Sequence, residues 1–376
     1  MKMDCFLHIG TEKTATTSIQ EWIFANRNSL VERGIYTSNK FGSGNHRKIV
    51  NYFRSEFDDY QQWFRIRTER QNRKHFSGFE REFKAEFEKA RSSGCHRFLI
   101  TSEHFHSRLV KKEEIERLHE FLSGIFEKVY VISYFREQTG LCRSAYSTYA
   151  ENGGTLAFKD YIQTVSPEND YFNHLNISDK WSRIFGKEYF DANLFEKRYF
   201  RNGSILIDFA EKIGLSPNDG CIGFPGIHSN KSSYAWQLPA YRAIHDHVAF
   251  FTDNGNGFND RNRELTDFVK SIEVLRNGNL NHGTSDIFEL FRESNEEFFR
   301  KYTPGKSFSK PESESVDELY PVIEELIYKI FASFLVCLLN LLSVLFSVRR
   351  KTPWDDHQQR SRRSRVMPSA RWHSSV

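Results

Sequence analysis

The chain has 376 residues, 39% hydrophobic and 15% aromatic, with 35 phenylalanines against nine prolines. That is enough for one large α/β domain or two ordinary ones, and it argues against long disordered tracts. The net charge of +4 misleads, because residues 349–376 hold eight Lys/Arg and two Asp/Glu and the rest sums to about −2; the body of the chain is therefore no general binder of nucleic acid.

The segment "CFLHIG" (5–10) predicts a buried strand ending in glycine, and "TTSIQEWIFANRNSLVERG" predicts a helical stripe through Ile19, Trp22, Ile23, Leu30 and Val31 that stops at Gly34. Residues 48–92 read as charged, phenylalanine-rich helices. "RFLIT" (97–101) predicts a second buried strand that gives way to a loop at "SEHFH". An amphipathic helix over 111–126 leads into "KVYVISYF" (128–135), nearly all apolar as a central parallel strand should be. Helices are expected after Arg136 and over 204–215, a further strand over 189–195, and mostly helix over 240–303. This order predicts an α/β fold with a central parallel sheet flanked by helices. It would occupy residues 1–312, with 304–315 starting a polar linker.

Residues 313–348 form linker and hydrophobic helix: "IFASFLVCLLNLLSVLFSV" (330–348) is nineteen residues without a charge, about the minimum for a membrane span. It is read either as membrane-associated or as packed on protein, and the basic tail 349–376 as disordered. Five cysteines, an odd number with no C-x-x-C spacing, fit a reducing compartment without a disulfide framework or zinc site. With no signal peptide visible in "MKMDCFLHIG", the expectation is a cytoplasmic catalytic domain.

"HIGTEKTATTSIQ" (8–20) brings Gly10, Lys13 and threonines to the start of a helix. A helix N-terminus is an anion site, and hydroxyls add donors. A nucleoside-triphosphate loop would place lysine after a second glycine. Here Lys13 stands earlier, inside the loop, where it reaches the far side of the anion. The strands at 97–101 and 128–135 are followed by Ser102-Glu103 and Arg136 rather than a magnesium-binding acid, which disfavours a metal-dependent kinase.

The loop resembles the 5′-phosphosulfate-binding loop, G-x-x-K-T-G-T-T/S, of the sulfotransferases that use 3′-phosphoadenosine 5′-phosphosulfate (PAPS). Ala15 stands where glycine is common, which leaves the loop unchanged only at negative φ. "VYVISYFREQTGLCRSAYS" resembles the family's 3′-phosphate stretch, with Arg136, Glu137 and Ser144 in place, Tyr146 where tyrosine is frequent, and Gln138 in place of proline. "HSNKSSY" (228–234) and "FRESNEEFFRKYTPGKSF" resemble later parts of bacterial and carbohydrate sulfotransferases. The resemblance covers about residues 4–310 and implies a P-loop-like three-layer α/β domain with a central parallel sheet flanked by helices. It implies PAPS as co-substrate, adenosine 3′,5′-bisphosphate as product, no metal, and a hydroxyl acceptor, expected to be a glycan.

The implied nucleotide set is Gly10, Thr11, Lys13, Thr14, Ala15, Thr16, Thr17, Arg136 and Ser144, with Arg143 either joining it or facing solvent. Arg136 and Ser144 would approach the ligand edge opposite the loop. The acceptor must lose a proton, and the carboxyl edge of the sheet is where ligands bind. Glu103 is the first candidate base and His104 the second, with Lys13 completing the catalytic set. His46 is read as a loop histidine beside the acceptor or a structural one, and His8 as structural. Arg65, Arg67, Arg70, Arg73 and Lys74 form a basic face, read as solvated or as a seat for an anionic glycan. A P-loop kinase and a non-catalytic, membrane-associated nucleotide-binding protein are the alternatives.

Overall fold

Three apolar runs stack side by side because each is buried on both faces. β1 (Asp4–Gly10) pairs in parallel with β3 (Arg97–Thr101) on one side and β4 (Val129–Phe135) on the other. Leu7 stands between Ile100 and Val131 in register. β2 (Ile35–Tyr36) and β5 (Phe190–Leu194) form the edges, giving an all-parallel sheet in the order β2-β3-β1-β4-β5. The computed structural model describes residues 2–216, 223–224, 233–252, 257–272, 284, 286–311 and 320–349.

The crossovers are helical. α1 (Thr16–Ala25) and α2 (Arg27–Glu32) lead to β2. α3 (Arg47–Phe53), α4 (Asp59–Trp63), α5 (Glu69–Phe76) and α6 (Phe79–Ser92) lead to β3. α7 (His104–Ser107) and α8 (Lys112–Ser123) lead to β4, and α9 (Gln138–Glu151), α10 (Phe158–Ile162) and α11 (His174–Phe185) to β5. α12 (Ile205–Lys212), α13 (Gln237–His247), α14 (Asp260–Ser271), α15 (Ile287–Leu290), α16 (Arg292–Tyr302) and α17 (Tyr320–Arg349) follow.

Alternation along β1 divides the core. Cys5, Leu7 and Ile9 join the phenylalanine-rich layer of Phe41, Phe79, Phe83 and Phe98. Opposite, Trp22 and Ile23 of α1, Phe209 of α12 and Ile213 just past it pack on Leu99, Ile132 and Tyr134. A third apolar cluster joins α9, α13 and α17 through Tyr146, Tyr241 and Leu335.

Several expectations change. The helical stripe to Gly34 is two helices, broken at Asn26, whose amide side chain donates to the carbonyl of Trp22 (2.9 Å). β2 is a two-residue strand, too short for any periodicity to announce it. "SEHFH" closes as one helical turn rather than an open loop. The expected linker is partly fixed: Phe308 is buried against His174 and Phe299, and the Ser307 carbonyl accepts from the Tyr199 hydroxyl (3.1 Å). Residues 312–319, the tail beyond 349 and 228–232 of "HSNKSSY" lie outside the described residues.

The hydrophobic stretch 330–348 belongs to a longer helix, α17, which starts at Tyr320. Among the described residues no helix is long and apolar enough to cross a membrane. α17 lies on α13, with Leu335 buried and Tyr328 donating to Asp246 (2.8 Å). Arg242 holds Glu324 at 2.6 Å, both side chains 10% exposed. Burial raises the Glu324 carboxyl above its usual range, with the Arg242 charge opposing it.

Removing one partner of a buried pair strands the other charge, at a cost of about 3–5 kcal/mol. Arg242→Met is therefore expected to lower the opening free energy of residues 320–335 by that order while protection of β1 and β4 stays unchanged. Amide hydrogen exchange resolved by segment checks this.

Candidate active site

β1 is the point from which the chain winds both ways: β2 and β3 lie to one side, β4 and β5 to the other. The carboxyl ends of β1, β3 and β4 thus border the crevice where open α/β sheets bind ligands. Gly10 ends β1 at φ 99°, and a Cβ there would lie 3.1 Å from the Glu103 backbone, so glycine lets the loops after β1 and β3 touch.

The loop braces itself. Thr11 donates from its N–H (2.9 Å) and its hydroxyl (3.0 Å) to the carbonyl of Tyr134 in β4. The Thr14 hydroxyl donates to the Thr11 carbonyl at 2.6 Å. Both hydroxyl protons are therefore used on backbone carbonyls, one in β4 and one in the loop. Ala15 precedes α1 at φ 58°, in the left-handed region, and supplies no side-chain cap. The first N–H groups of α1, from Thr16 onward, are left uncapped by side chains, which is the anion-binding arrangement. Thr16 is buried and Thr17 exposed.

Lys13, itself at φ 65°, extends to the Thr148 hydroxyl of α9. Its carbonyl accepts from the Arg136 guanidinium at 3.3 Å. Arg136 therefore sits at the loop, not across the crevice as its place in the sequence suggested. The space it occupies exists because residue 140 is glycine: a Cβ there would meet Arg136 Nε at 3.0 Å. Burial lowers the pKa of Lys13, and the Arg136 charge lowers it further, against Glu12, Glu151 and Glu103. Burial likewise lowers that of Arg136, with Arg143 adding to the effect and Glu137 opposing it. Among the described residues neither Lys13 nor Arg136 forms an ion pair.

Glu137 caps α9, accepting from the N–H groups of Thr139 (2.7 Å) and Gly140 (3.0 Å). Gln138, where proline was expected, exchanges two 2.9 Å hydrogen bonds with buried Asn295. Ser144 lies half-buried two turns into α9. Arg143, half-buried, donates to the Thr284 hydroxyl (2.9 Å).

After β3, Glu103 accepts from Gln20 of α1 (2.6 Å) and from Asn45 (2.9 Å). His104 follows, with Nδ1 buried, without a hydrogen bond, and 3.9 Å from the Glu12 carboxylate. Burial is the largest cause of its lowered pKa. His46 is structural: Nε2 donates to the Ser38 carbonyl (2.7 Å) and Nδ1 accepts from the Thr101 N–H (3.0 Å). Buried neutral, it has its pKa pushed down to about 4. His8 is buried in β1 against the Thr101 hydroxyl (2.8 Å), and burial pushes its pKa to about 3. The sequence reading missed Glu12, Tyr171, His106 and Thr148. Glu12 is in the quoted loop, but its partners arrive from α7 and from the segment before α11, which no spacing announces.

No family model and no curated protein matches the chain. Among solved structures, a sulfotransferase from Alicyclobacillus acidocaldarius matches at 16% identity, over 64% of this chain and 91% of that one, with a TM-score of 0.37. A likeness that loose carries no functional argument; the side chains above must do so.

Left-handed backbone costs a non-glycine residue roughly 1–2 kcal/mol, part of which glycine's freedom in the unfolded chain offsets. Ala15→Gly is expected to raise the melting temperature by about 1–3 °C. Calorimetry of the two proteins checks it.

Proposed function

We propose that this protein is a PAPS-dependent sulfotransferase acting on a hydroxyl, with a saccharide as the acceptor class. The observation that carries the reading is the pair Lys13 and Arg136. Two partly buried cations converge on one loop at an uncapped helix N-terminus, neither in an ion pair among the described residues. Such a site is costly when empty and suits a multiply charged anion.

In the proposed reaction the acceptor oxygen attacks sulfur in line and the bond to the 5′-phosphate breaks. Lys13 and the first N–H groups of α1 stabilise the charge gathering on the sulfonate and the departing phosphate. Arg136, with Ser144 further along α9, would bind the 3′-phosphate. His104 rather than Glu103 takes the acceptor proton, because Glu103 already holds Gln20 and Asn45. No metal takes part in the proposal.

Trp63 supports the saccharide. It is 65% exposed on α4, whose Asp59 is paired with Arg47 at 2.5 Å and reached by Arg108, just past α7. Its indole, which meets Phe258 edge to face, would give sugar C–H groups a flat apolar surface. The proposed setting is the cytoplasm, in keeping with the buried free thiols of Cys5, Cys95 and Cys142. Outward apolar residues of α17, such as Ile330 and Phe334, would give contact with a membrane surface.

Lys13→Ala is expected to lower sulfonate transfer from labelled PAPS by at least ~10²–10³, the usual loss for one preorganised donor. Wild type should bind adenosine 3′,5′-bisphosphate more tightly than ADP by about tenfold to several hundredfold, since charged hydrogen bonds contribute roughly 1.5–3 kcal/mol each. Arg136→Ala should erase most of that preference. Titration calorimetry decides it, and equal affinities in wild type would overturn the assignment.

A further inference from the structure

The loop carries a carboxylate that neither anion binding nor loop bracing uses. Glu12 is adjacent to Lys13, at the site where negative charge is to be held, so an unassigned acid there requires a reason. Its position is built from both ends. The Glu12 N–H donates to His106 Nδ1 (3.3 Å), which leaves the proton of that ring on Nε2 to reach the Tyr171 carbonyl (3.1 Å). The Tyr171 hydroxyl donates to Glu12 Oε2 at 2.9 Å. Tyr171 is itself fixed by its N–H to the Asn169 side chain (3.1 Å). The other carboxylate oxygen, Oε1, faces His104 Nδ1 at 3.9 Å, with the Ser107 hydroxyl also bearing on the carboxylate, and that nitrogen is buried without a hydrogen bond among the described residues.

We propose that Glu12 is a positioning residue for His104: its carboxylate holds the imidazole with the proton on Nδ1 and keeps the Nε2 lone pair for the acceptor hydroxyl. This rests on the reaction proposed above. In the step, Nε2 takes the hydroxyl proton as the oxygen–sulfur bond forms. The bond from sulfur to the phosphate oxygen breaks, and its electron pair leaves with the phosphate. The imidazolium so formed faces a carboxylate that offsets part of its burial penalty. Contacts of this kind are commonly long without substrate and shorten in the reacting complex. Placing the acid in the phosphosulfate loop couples the base to the donor, because the same backbone turn presents Lys13.

The test is Glu12→Gln, which keeps shape and removes charge. The charged groups facing His104 are Glu103 and Glu12, which favour its protonated form, and Arg47 and Arg108, which oppose it. Asp59 lies within the same charge network. Removing Glu12 therefore moves the His104 pKa down, and the acid limb of the kcat/KM profile shifts to lower pH. At the same time kcat falls on the order of 10²-fold, while the affinity for adenosine 3′,5′-bisphosphate and the acceptor KM stay within twofold. Glu12→Asp restores most of the rate. A purely structural role would not move the profile and the rate in these opposite senses.

Nitrogen-15 NMR of the His104 ring in the full-length wild-type protein gives a readout that needs no turnover. The proton is expected on Nδ1. A proton on Nε2, or a His104 pKa that stays or rises in Glu12→Gln, overturns the pairing whatever the substrate. The Nδ1 form, with the pKa falling in Glu12→Gln but no transfer from PAPS, supports the pairing and overturns the reaction.

Discussion

One carbonyl organises the candidate site. The backbone oxygen of Tyr134 accepts from both donors of Thr11, tying the turn after β1 to the end of β4. Parallel pairing sets the strands side by side but leaves their exits independent. This double contact removes that independence. Two residues beyond Tyr134 the chain releases Arg136, which then returns to the Lys13 carbonyl. The loop and the start of α9 thus form one braced unit, and the charges on them cannot drift apart.

That bracing explains the polar accounting of the crevice. Side chains that would compete for a ligand are mostly tied to the frame: Glu137 to the N-terminus of α9, Gln138 to Asn295, and His46 to Ser38 and Thr101. The groups left over are Lys13, Arg136, the head of α1 and the His104 ring. They are cationic or neutral, and they meet at the carboxyl edge of the sheet. An uncapped helix head beside two partly buried cations that form no ion pair among the described residues biases this edge toward anions.

The four longer strands and the turns that follow β1 and β4 were legible in the sequence because they rest on local rules. Unbroken apolar runs mark buried parallel strands, and a glycine before an apolar helical stripe marks the turn from strand to helix. β2 was not legible, since two residues hold no period, and neither was the break at Asn26, which depends on a side chain finding the Trp22 carbonyl. Part of the site escaped for a related reason. His46 looked like a free loop histidine because its two backbone partners are eight and 55 residues away. Glu12 looked like a spacer between Thr11 and Lys13 because Tyr171, 159 residues on, gives it its direction. Long-range closure, rather than residue type, separates the structural polar groups from the chemical ones.

The seat of α17 has a colloidal consequence. Leu238, Tyr241 and Ile244 of α13 are almost wholly hidden, and Leu335, Phe331 and Ile327 of α17 belong to the cover over them. A chain ending before Tyr320 would turn that buried seam into open apolar surface next to α9. Large exposed patches of this kind drive self-association. Trimming the hydrophobic end of this protein would therefore make it stickier, not more soluble, because the helix that looks like the source of greasiness is also what keeps another greasy face dry.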